Sequence, residues 1–496
     1  MGLSSSLYSG VSGLVTLGTS MQVIGDNIAN VNTMGFKGSR ATFQDILAQS
    51  INTARGGSQV GRGTQLADVS SVFEQGSFES TTSPTDLAIG GQGFFILSNP
   101  KVENSLYYTR AGQFHVDQYG YLVNPAGLRV QGWDMETQPD GSAEIVGAIK
   151  DIQISNSSPP VATDQATLNV NLDSRLTAPV STATLYQDWN STAGSLQPDV
   201  HFEYQTTFNI FDSLGTTHAL TVYFDRTSVA ADREWEFLVT IDPTDDRSGG
   251  VVPANAGMLM RGVIQFSPQG QIENIYGYDA ADNPDPAQPV QVYNTATDTW
   301  QAATYGNHNY PQAVVFFQPP GAGWSTADPS AQLVEINLGA HVLDPTVSPP
   351  TWATEALTTT QYANRSSTLF YDQNGFAPGF LESVSVDNEG VISGRYSNGR
   401  IIALAQTALA RFNSPTDLAK NGANLFTQTT ASGSPITGQP LTNGLGSIAS
   451  NALEQSTVDI GTEFVRLITT QRAFQANSRI ITTTDDMLNE LINMKR

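Results

Sequence analysis

The chain has no cysteine. That excludes disulfides, zinc–thiolate sites and cysteine nucleophiles. Charge is scarce as well: only 14% of the 496 residues are Asp, Glu, Lys or Arg, and the net charge is −23. Positive charge is thinnest in the middle. Between Asp151 and Gln361 there is no lysine, only a few arginines such as Arg175, Arg226, Arg233, Arg247 and Arg261. Nucleic-acid binding needs a basic stripe to displace phosphate counterions, and none is present. An anionic membrane surface would repel the chain. Acidic runs such as Asp242, Asp245 and Asp246 read as a solvated surface kept soluble by self-repulsion. No run of 18 apolar residues exists, so no membrane insertion is expected. No positive n-region precedes the first apolar residues, and the first charge is Asp26. Any export is therefore expected to proceed without a cleaved signal peptide.

Catalytic patterns are missing too. His115, His201, His218, His308 and His341 are far apart and show no metal-ligand spacing. There is no G-x-S-x-G elbow, and Gly90–Phe95 lacks the lysine of a phosphate loop. Asp-x-x-Gly recurs at Asp117, Asp372 and Asp387 without the alternating oxygen ligands and closing Glu of a calcium loop, so hairpin turns are the better reading. No catalytic, cofactor-binding or metal-binding residue is expected. One reading of another class stays open: a secreted β-rich carbohydrate-active or adhesive protein, with a carboxylate pair hidden among the acids.

What is present begins with two helical ends. Leu7, Leu14, Met21 and Ile28 lie seven apart, and Leu3, Gly10, Leu17, Ile24 and Val31 form a series offset by four. Together they make a heptad seam. At the other end Leu453, Ile460, Leu467, Phe474, Ile481 and Leu488 are also seven apart, with Phe464 and Ile492 as apolar offset partners. The N-terminal segment contains Gly10, Gly13, Gly18 and Gly25, and each interior helical glycine costs about 1 kcal/mol relative to alanine. Such a helix is expected to order mainly on assembly, where glycines admit close neighbours, rather than in a self-contained pairing of the two ends.

Inside the helices the pattern changes to β. Phe114, Val116, Tyr121 and Val123 alternate around Asp117-Gln118-Tyr119-Gly120. Val384 and Val386 precede Asp387-Asn388-Glu389-Gly390, and Asn398-Gly399 marks another hairpin. In the middle, Phe208 and Ile210 face Leu220, Val222 and Phe224 across Asp212–Gly215, followed by Trp235, Phe237 and Val239 and then Val263, Ile264 and Phe266. Gly/Pro-rich breaks fall near 283–289, 319–323 and 345–350. The order helix, β, large middle, β, helix predicts a nested α+β fold. Residues 1–35 and 450–496 form a terminal, coiled-coil-like helical core. Residues 36–85 and 428–449 connect it to a discontinuous all-β domain of 86–150 and 362–427. An outer β domain, 151–361, is inserted there, with a subsidiary lobe near 277–350.

Several stretches then resemble one family. Ile28-Ala29-Asn30-Val31-Asn32-Thr33, followed by Gly35-Phe36-Lys37, is similar to the signature of bacterial flagellar rod, hook and hook-associated axial proteins. Asp86–Ile89 through Gly93-Phe94-Phe95, Tyr108–Phe114 and Gly120–Val123 extend the likeness. Gln471-Arg472-Ala473-Phe474-Gln475-Ala476-Asn477-Ser478, Ile480–Met487 and Leu491–Arg496 resemble the closing helix. The match spans both ends and both flanking β segments. One departure is Thr457, where the family usually has Asn; that Asn could cap or turn the chain entering the helix, and Thr can cap too. The inserted domain, Gly375–Gly379 and Ser397-Asn398-Gly399 favour the hook branch over hook-associated or distal rod proteins.

The resemblance implies a non-enzymatic subunit of a curved, flexible tube, a universal joint carrying torque from basal-body rod to filament. It implies self-association through the terminal helices, around an export channel, with the flanking β domain as middle layer and the insert outside. It also implies the flagellar export apparatus, the distal rod protein, the hook cap protein and the hook–filament junction protein as partners, and an extracellular place on the flagellum. Crosslinking through a cysteine, which some spirochaetal relatives use, is excluded here.

Overall fold

The computed structural model describes residues 2–46, 49–53, 56–102, 105–137, 143–176, 183–196, 202–227, 233–246, 256–294, 299–317 and 331–494. His201, Arg247 and the expected loop at 319–323 lie outside them. The fold is mostly β, with one long helix at each end: α1, Gly2–Ala29, and α2, Ile460–Met494. The chain divides into two units, 1–156 with 380–496, and 157–379.

In the first unit, strands from both halves of the sequence interleave. Phe94–Ser98 pairs with Leu106–Thr109, with Arg129–Thr137 and with Leu409–Arg411. Leu87–Gly90 pairs with Ser447–Ser450. The resulting core joins Leu87, Ile89, Phe95, Leu97 and Val130 to Ile392, Ala405, Leu409 and Ile448. The alternate residues Phe94, Ile96 and Tyr108 pack on the opposite face against Ala408, Phe412 and Phe426. This is the period-2 rule working in both directions from one strand. Tyr108 and Phe412 meet edge-to-face at 4.7 Å.

The Asp-x-x-Gly turns are built as side-chain-braced hairpins. Asp387 Oδ1 accepts the N–H of Glu389 and of Val391, both at 2.9 Å, between strands Gly379–Val386 and Val391–Tyr396. Asp117 and Asp212 repeat the arrangement. Asp372 does not. It lies inside strand Ser367–Gln373, and the following Gly375 N–H goes to Gln373 Oε1 at 2.7 Å.

The second unit is two β layers over one core. Tyr204–Phe211, Thr217–Arg226, Glu234–Ile241, Met258–Phe266 and Ile272–Tyr278 form an antiparallel meander. Gln165–Asp173 leads the other sheet, parallel to Gln332–Asn337 and Thr360–Tyr362 and antiparallel to Ser367–Gln373. This last pairing places Ser367–Gln373 in the second unit, so the expected boundary at 362 moves to 379. Leu168, Val170 and Leu172 meet Leu220, Val222, Phe224, Trp235, Phe237 and Val239 in the core. The meander's other face is also covered, by Leu185, Trp189 and Leu196 against Tyr223 and Leu238. On that face Glu236 is buried, accepting the Tyr278 hydroxyl at 3.0 Å and the Leu185 N–H at 3.2 Å. Burial pushes its carboxyl up to about 8.

Candidate assembly interface

The two helices run antiparallel along each other within the chain. Gly10 lies against Ile481, and Gly13 against Asn477. A Cβ at Gly10 would sit 3.1 Å from Ile481 Cγ1, and one at Gly13 would sit 2.6 Å from Asn477 Nδ2. These two glycines therefore serve an intrachain contact. The glycines of α1 predict ordering mainly on assembly rather than by pairing of the two ends; here the half-buried Leu467, Phe474, Ile481 and Leu488 belong to a helix packed on α1.

The other expected seam residues divide. Leu7, Leu14, Leu17, Met21 and Ile28 are half-buried, and Ile24 is buried. Leu3 lies on α1. Val31 falls in the turn after α1, because the helix ends at Ala29. Leu453 is not helical at all. It is buried in strand Ala452–Glu454, paired with Phe78–Ser80, so its place in the sevenfold series is a coincidence of spacing. Helix α2 starts only after Asp459, whose Oδ1 accepts the Thr462 N–H at 2.6 Å. That hydrogen bond, foremost, holds the Asp459 carboxyl below its ordinary range. Asp459 is thus the cap. Thr457 instead accepts the Gly38 N–H at 3.2 Å, tying α2's approach to the strand after α1.

A second set of helical side chains is apolar and uncovered. On α1, Tyr8, Val11 and Val15 are exposed, Val15 by 65%. On α2, Ile460, Phe464, Val465, Ile468, Ile480, Met487 and Ile492 are exposed, Val465 by 63%. Gly18 and Gly25 differ from Gly10 and Gly13: a Cβ at either would meet nothing within 4 Å. The closing-helix motif splits the same way: Ala473, Phe474 and Asn477 are half-buried, whereas Gln471 and Arg472 are exposed.

The motif after α1 has a structural role that sequence reasoning did not assign. Asn30 Nδ2 donates to Asp26 O at 2.9 Å, and the Thr33 hydroxyl donates to Asn30 Oδ1 at 3.2 Å, closing the helix end. Ala29 and Asn32 are exposed. Gly35 has φ +69° and its absent Cβ would lie 2.6 Å from Ala111 N, so only glycine fits. Its N–H donates to Glu454 O at 2.7 Å. Phe36 is half-buried beneath Lys420, whose Nζ is 5.6 Å from the ring centre. Lys37 then turns fully inward. Its Nζ lies 2.7 Å from Glu454 Oε1, and Arg110 Nη1 lies 3.5 Å from Glu454 Oε2. Glu454 also accepts the Gly76 N–H at 2.8 Å. Burial lowers the pKa of both Lys37 and Arg110, and the carboxylate opposes that shift. One buried carboxylate therefore joins the turn after α1, the 106–114 segment and the strand leading to α2. A lysine next to Gly-Phe and a glutamate ending an apolar strand were the available signals, but nothing in their spacing links positions 417 residues apart.

Among the described residues no group of three or more His, Asp or Glu is arranged to hold a metal. His218 sits between Asp245 and Asp212, and His308 and His341 pair with Glu335 and Glu355. No described helix is long and apolar enough to cross a membrane.

Comparison with known proteins adds the following. The family model "Flagella basal body rod protein" matches 7–37, and "Flagellar hook protein FlgE/F/G D1 domain" matches 88–173. "Flagellar basal body protein FlaE D2 domain" matches 171–376, and "Flagellar basal body rod FlgEFG protein C-terminal" matches 449–494. The flagellar hook protein FlgE of Borreliella burgdorferi is 34% identical, covering 99% of each chain. That of Treponema pallidum is also 34% identical with 99% of each covered, and that of Salmonella typhimurium is 29% identical with 98% of each covered. The crystal structure of Helicobacter pylori FlgE2 aligns with a TM-score of 0.44 at 15% identity, over 76% of this chain and 100% of that one.

Proposed function

The chain belongs to the family of bacterial flagellar hook proteins and is a structural subunit of the hook, and from this premise we propose that it polymerises through the outward faces of α1 and α2. The observation that carries the reading is the set of exposed apolar side chains on both helices, Tyr8, Val11 and Val15 with Phe464, Val465 and Ile468, left over after the helices have packed on each other. Exposed apolar surface of this extent on paired helices is characteristic of an interaction site. Gly18 and Gly25 add room for close approach by a second copy, at about 1 kcal/mol each in helix propensity. The half-buried seam Leu7, Leu14, Leu17, Met21 and Ile28, with buried Ile24, and its counterpart Leu467, Phe474, Ile481 and Leu488 fix the orientation of these faces.

In this proposal the helices form the coiled-coil-like core of the tube and the β units bear on curvature and bending, which makes the polymer a universal joint. The subunit acts mechanically and not as an enzyme. The distal rod protein, the hook cap, the hook–filament junction protein and the export apparatus are its neighbours.

The test is Val15→Asp and Val465→Asp. Both side chains are mostly exposed, so the monomer should keep its melting temperature and circular dichroism. Burial of a carboxylate at a subunit contact costs several kcal/mol unless it is paired, so tubes should not form. Normal tubes from both variants would refute the assignment of these faces.

A further inference from the structure

A cavity of about 200 Å³ lies between the last turn of α1, the strand beginning at Ser39 and the first turn of α2. Glu74, Asp459 and Glu463 line it, with Arg40 and Arg466. Most of these groups are already engaged. Asp459 caps α2, and Arg466 Nη1 sits 2.7 Å from Glu463 Oε1. The other carboxylate oxygen, Glu463 Oε2, has no hydrogen-bond partner among the described residues, although Glu463 is only 5% exposed. Buried polar atoms are nearly always satisfied, and a charged one left alone costs more than a neutral one. The cavity is therefore a place for a donor. The acids do not form a metal-binding group. A basic side chain fits the chemistry better, since it supplies both charge and N–H groups.

Helix α2 itself carries arginines that no described carboxylate pairs with. Arg472 and Arg479 are exposed and take part in no ion pair among the described residues. They lie nine and sixteen residues beyond Glu463, or roughly 14 and 24 Å along the axis at 1.5 Å per residue. Neither can reach Glu463 of its own chain. Arg472 continues the exposed apolar stripe of Val465 and Ile468 at the helical spacings i+7 and i+4. Arg479 instead follows polar Gln475 by four residues and precedes polar Thr482 by three. Apolar neighbours exclude water, which is where a charged contact gains most.

We propose that Arg472 of a second copy enters this cavity and donates to Glu463 Oε2. The contact is heterologous, the slot of one copy against the outward face of the next, as an open helical polymer requires. It rests on the reading that the chain polymerises through its helices.

The experiment measures the critical concentration for assembly of the full chain, by light scattering with electron microscopy of the product. The variants are Arg472→Glu, Arg479→Glu, Glu463→Gln and the double Arg472→Glu/Glu463→Gln. Arg472→Glu puts two carboxylates together and should raise the critical concentration by about tenfold or more, the scale of a charged hydrogen bond. Its monomer melting temperature should not move. Arg479→Glu should stay within about twofold, well under 1.4 kcal/mol. The double variant should assemble better than Arg472→Glu alone, because the repelling charge is gone. Strictly additive losses in the double variant, or wild-type assembly by Arg472→Glu, would overturn the proposal. So would a larger effect at Arg479. If the unaltered chain makes no polymer, the underlying assembly reading fails instead, which is a separate outcome.

Discussion

Replacing Glu454 by Gln removes the one carboxylate that two buried cations share. Lys37 and Arg110 have side chains only 1% and 7% exposed, and Glu454 is fully covered. Lys37 keeps a second acceptor, Glu74 O, and Arg110 keeps Gly91 O at 2.8 Å. Their charges, however, lose their counter-ion. Breaking a buried pair from one side typically costs about 3–5 kcal/mol, because an uncompensated charge stays in the interior. For a unit of this size that is a fall in melting temperature on the order of 10 °C. The loss should shrink at alkaline pH. Burial already depresses the Lys37 pKa, and removing Glu454 depresses it further. A lysine whose folded pKa lies below its unfolded value binds fewer protons folded than unfolded. Stability of the variant therefore rises with pH up to the unfolded value near 10.4. Lys37→Met added to Glu454→Gln should recover part of the loss, leaving Arg110 as the residual cost. The assay is denaturant unfolding of the monomer followed by near-ultraviolet circular dichroism of the first unit, at pH 7 and pH 9.5. A loss under about 1 kcal/mol, or no recovery with Lys37→Met, would refute the view that this cluster holds the helix bases together.

In the second unit, Glu236 gives a pH dependence of opposite sign. Its folded pKa of about 8, above the ordinary 4.5, means the folded state keeps a proton that the unfolded state loses, so stability is full below pH 4.5 and falls between about pH 4.5 and 8. The fall is about 5 kcal/mol, and Glu236→Gln should flatten it in thermal melts across that range; an unchanged slope would refute the assignment. Gly13→Leu should drive the helices apart and lower helical circular dichroism, because even a Cβ meets Asn477 at 2.6 Å. Gly18→Ala should instead firm α1 by about 1 kcal/mol in the monomer while hindering assembly; equal effects of the two would contradict separate intrachain and subunit faces. Residues 157–379 should be replaceable by a short Gly/Ser linker, since Leu381 N and Asn156 O are hydrogen-bonded at 3.0 Å. Tubes should still form, with altered curvature on imaging; no polymer from a folded, exported variant would refute the division of labour.

The hairpins were readable because each is local. An aspartate bonding its own next residues and a glycine closing the turn need no distant partner, and Asp117, Asp212 and Asp387 behave alike. Asp372 has the same letters and a different outcome, because pairing to Gln165–Asp173 carries the strand past it. Periodicity found both helices but not their ends. Leu453 kept the sevenfold phase while its backbone paired as a strand. Nor could periodicity distinguish a face that packs on its own chain from one left open, since both are apolar at the same spacing. The Lys37–Glu454–Arg110 cluster was illegible for another reason. Charged residues ordinarily read as surface, and only three-dimensional closure shows these to be interior.

The two classes of contact differ in a way that suits a joint made of identical parts. At the base of the helices, the contacts are polar: the buried ion pair of Lys37 with Glu454, and the hydrogen bonds of Gly38 with Thr457 and of Asn27 with Ser39, the last at 2.8 Å. Such contacts are directional, and shifting one by an ångström leaves a charge or a donor unpaired. Along the helices, the seam side chains are half-buried and mostly apolar, and at Gly10 and Gly13 α1 presents no side chain to α2. Apolar contacts have no preferred direction and tolerate small sliding at little cost. A subunit with a rigid base and slippery helices can keep its own fold while its neighbours change spacing, and a bending tube asks this of every copy once per turn. On this reasoning, stiffness should be more sensitive to substitutions on the outward helix faces, and subunit integrity to substitutions at the base.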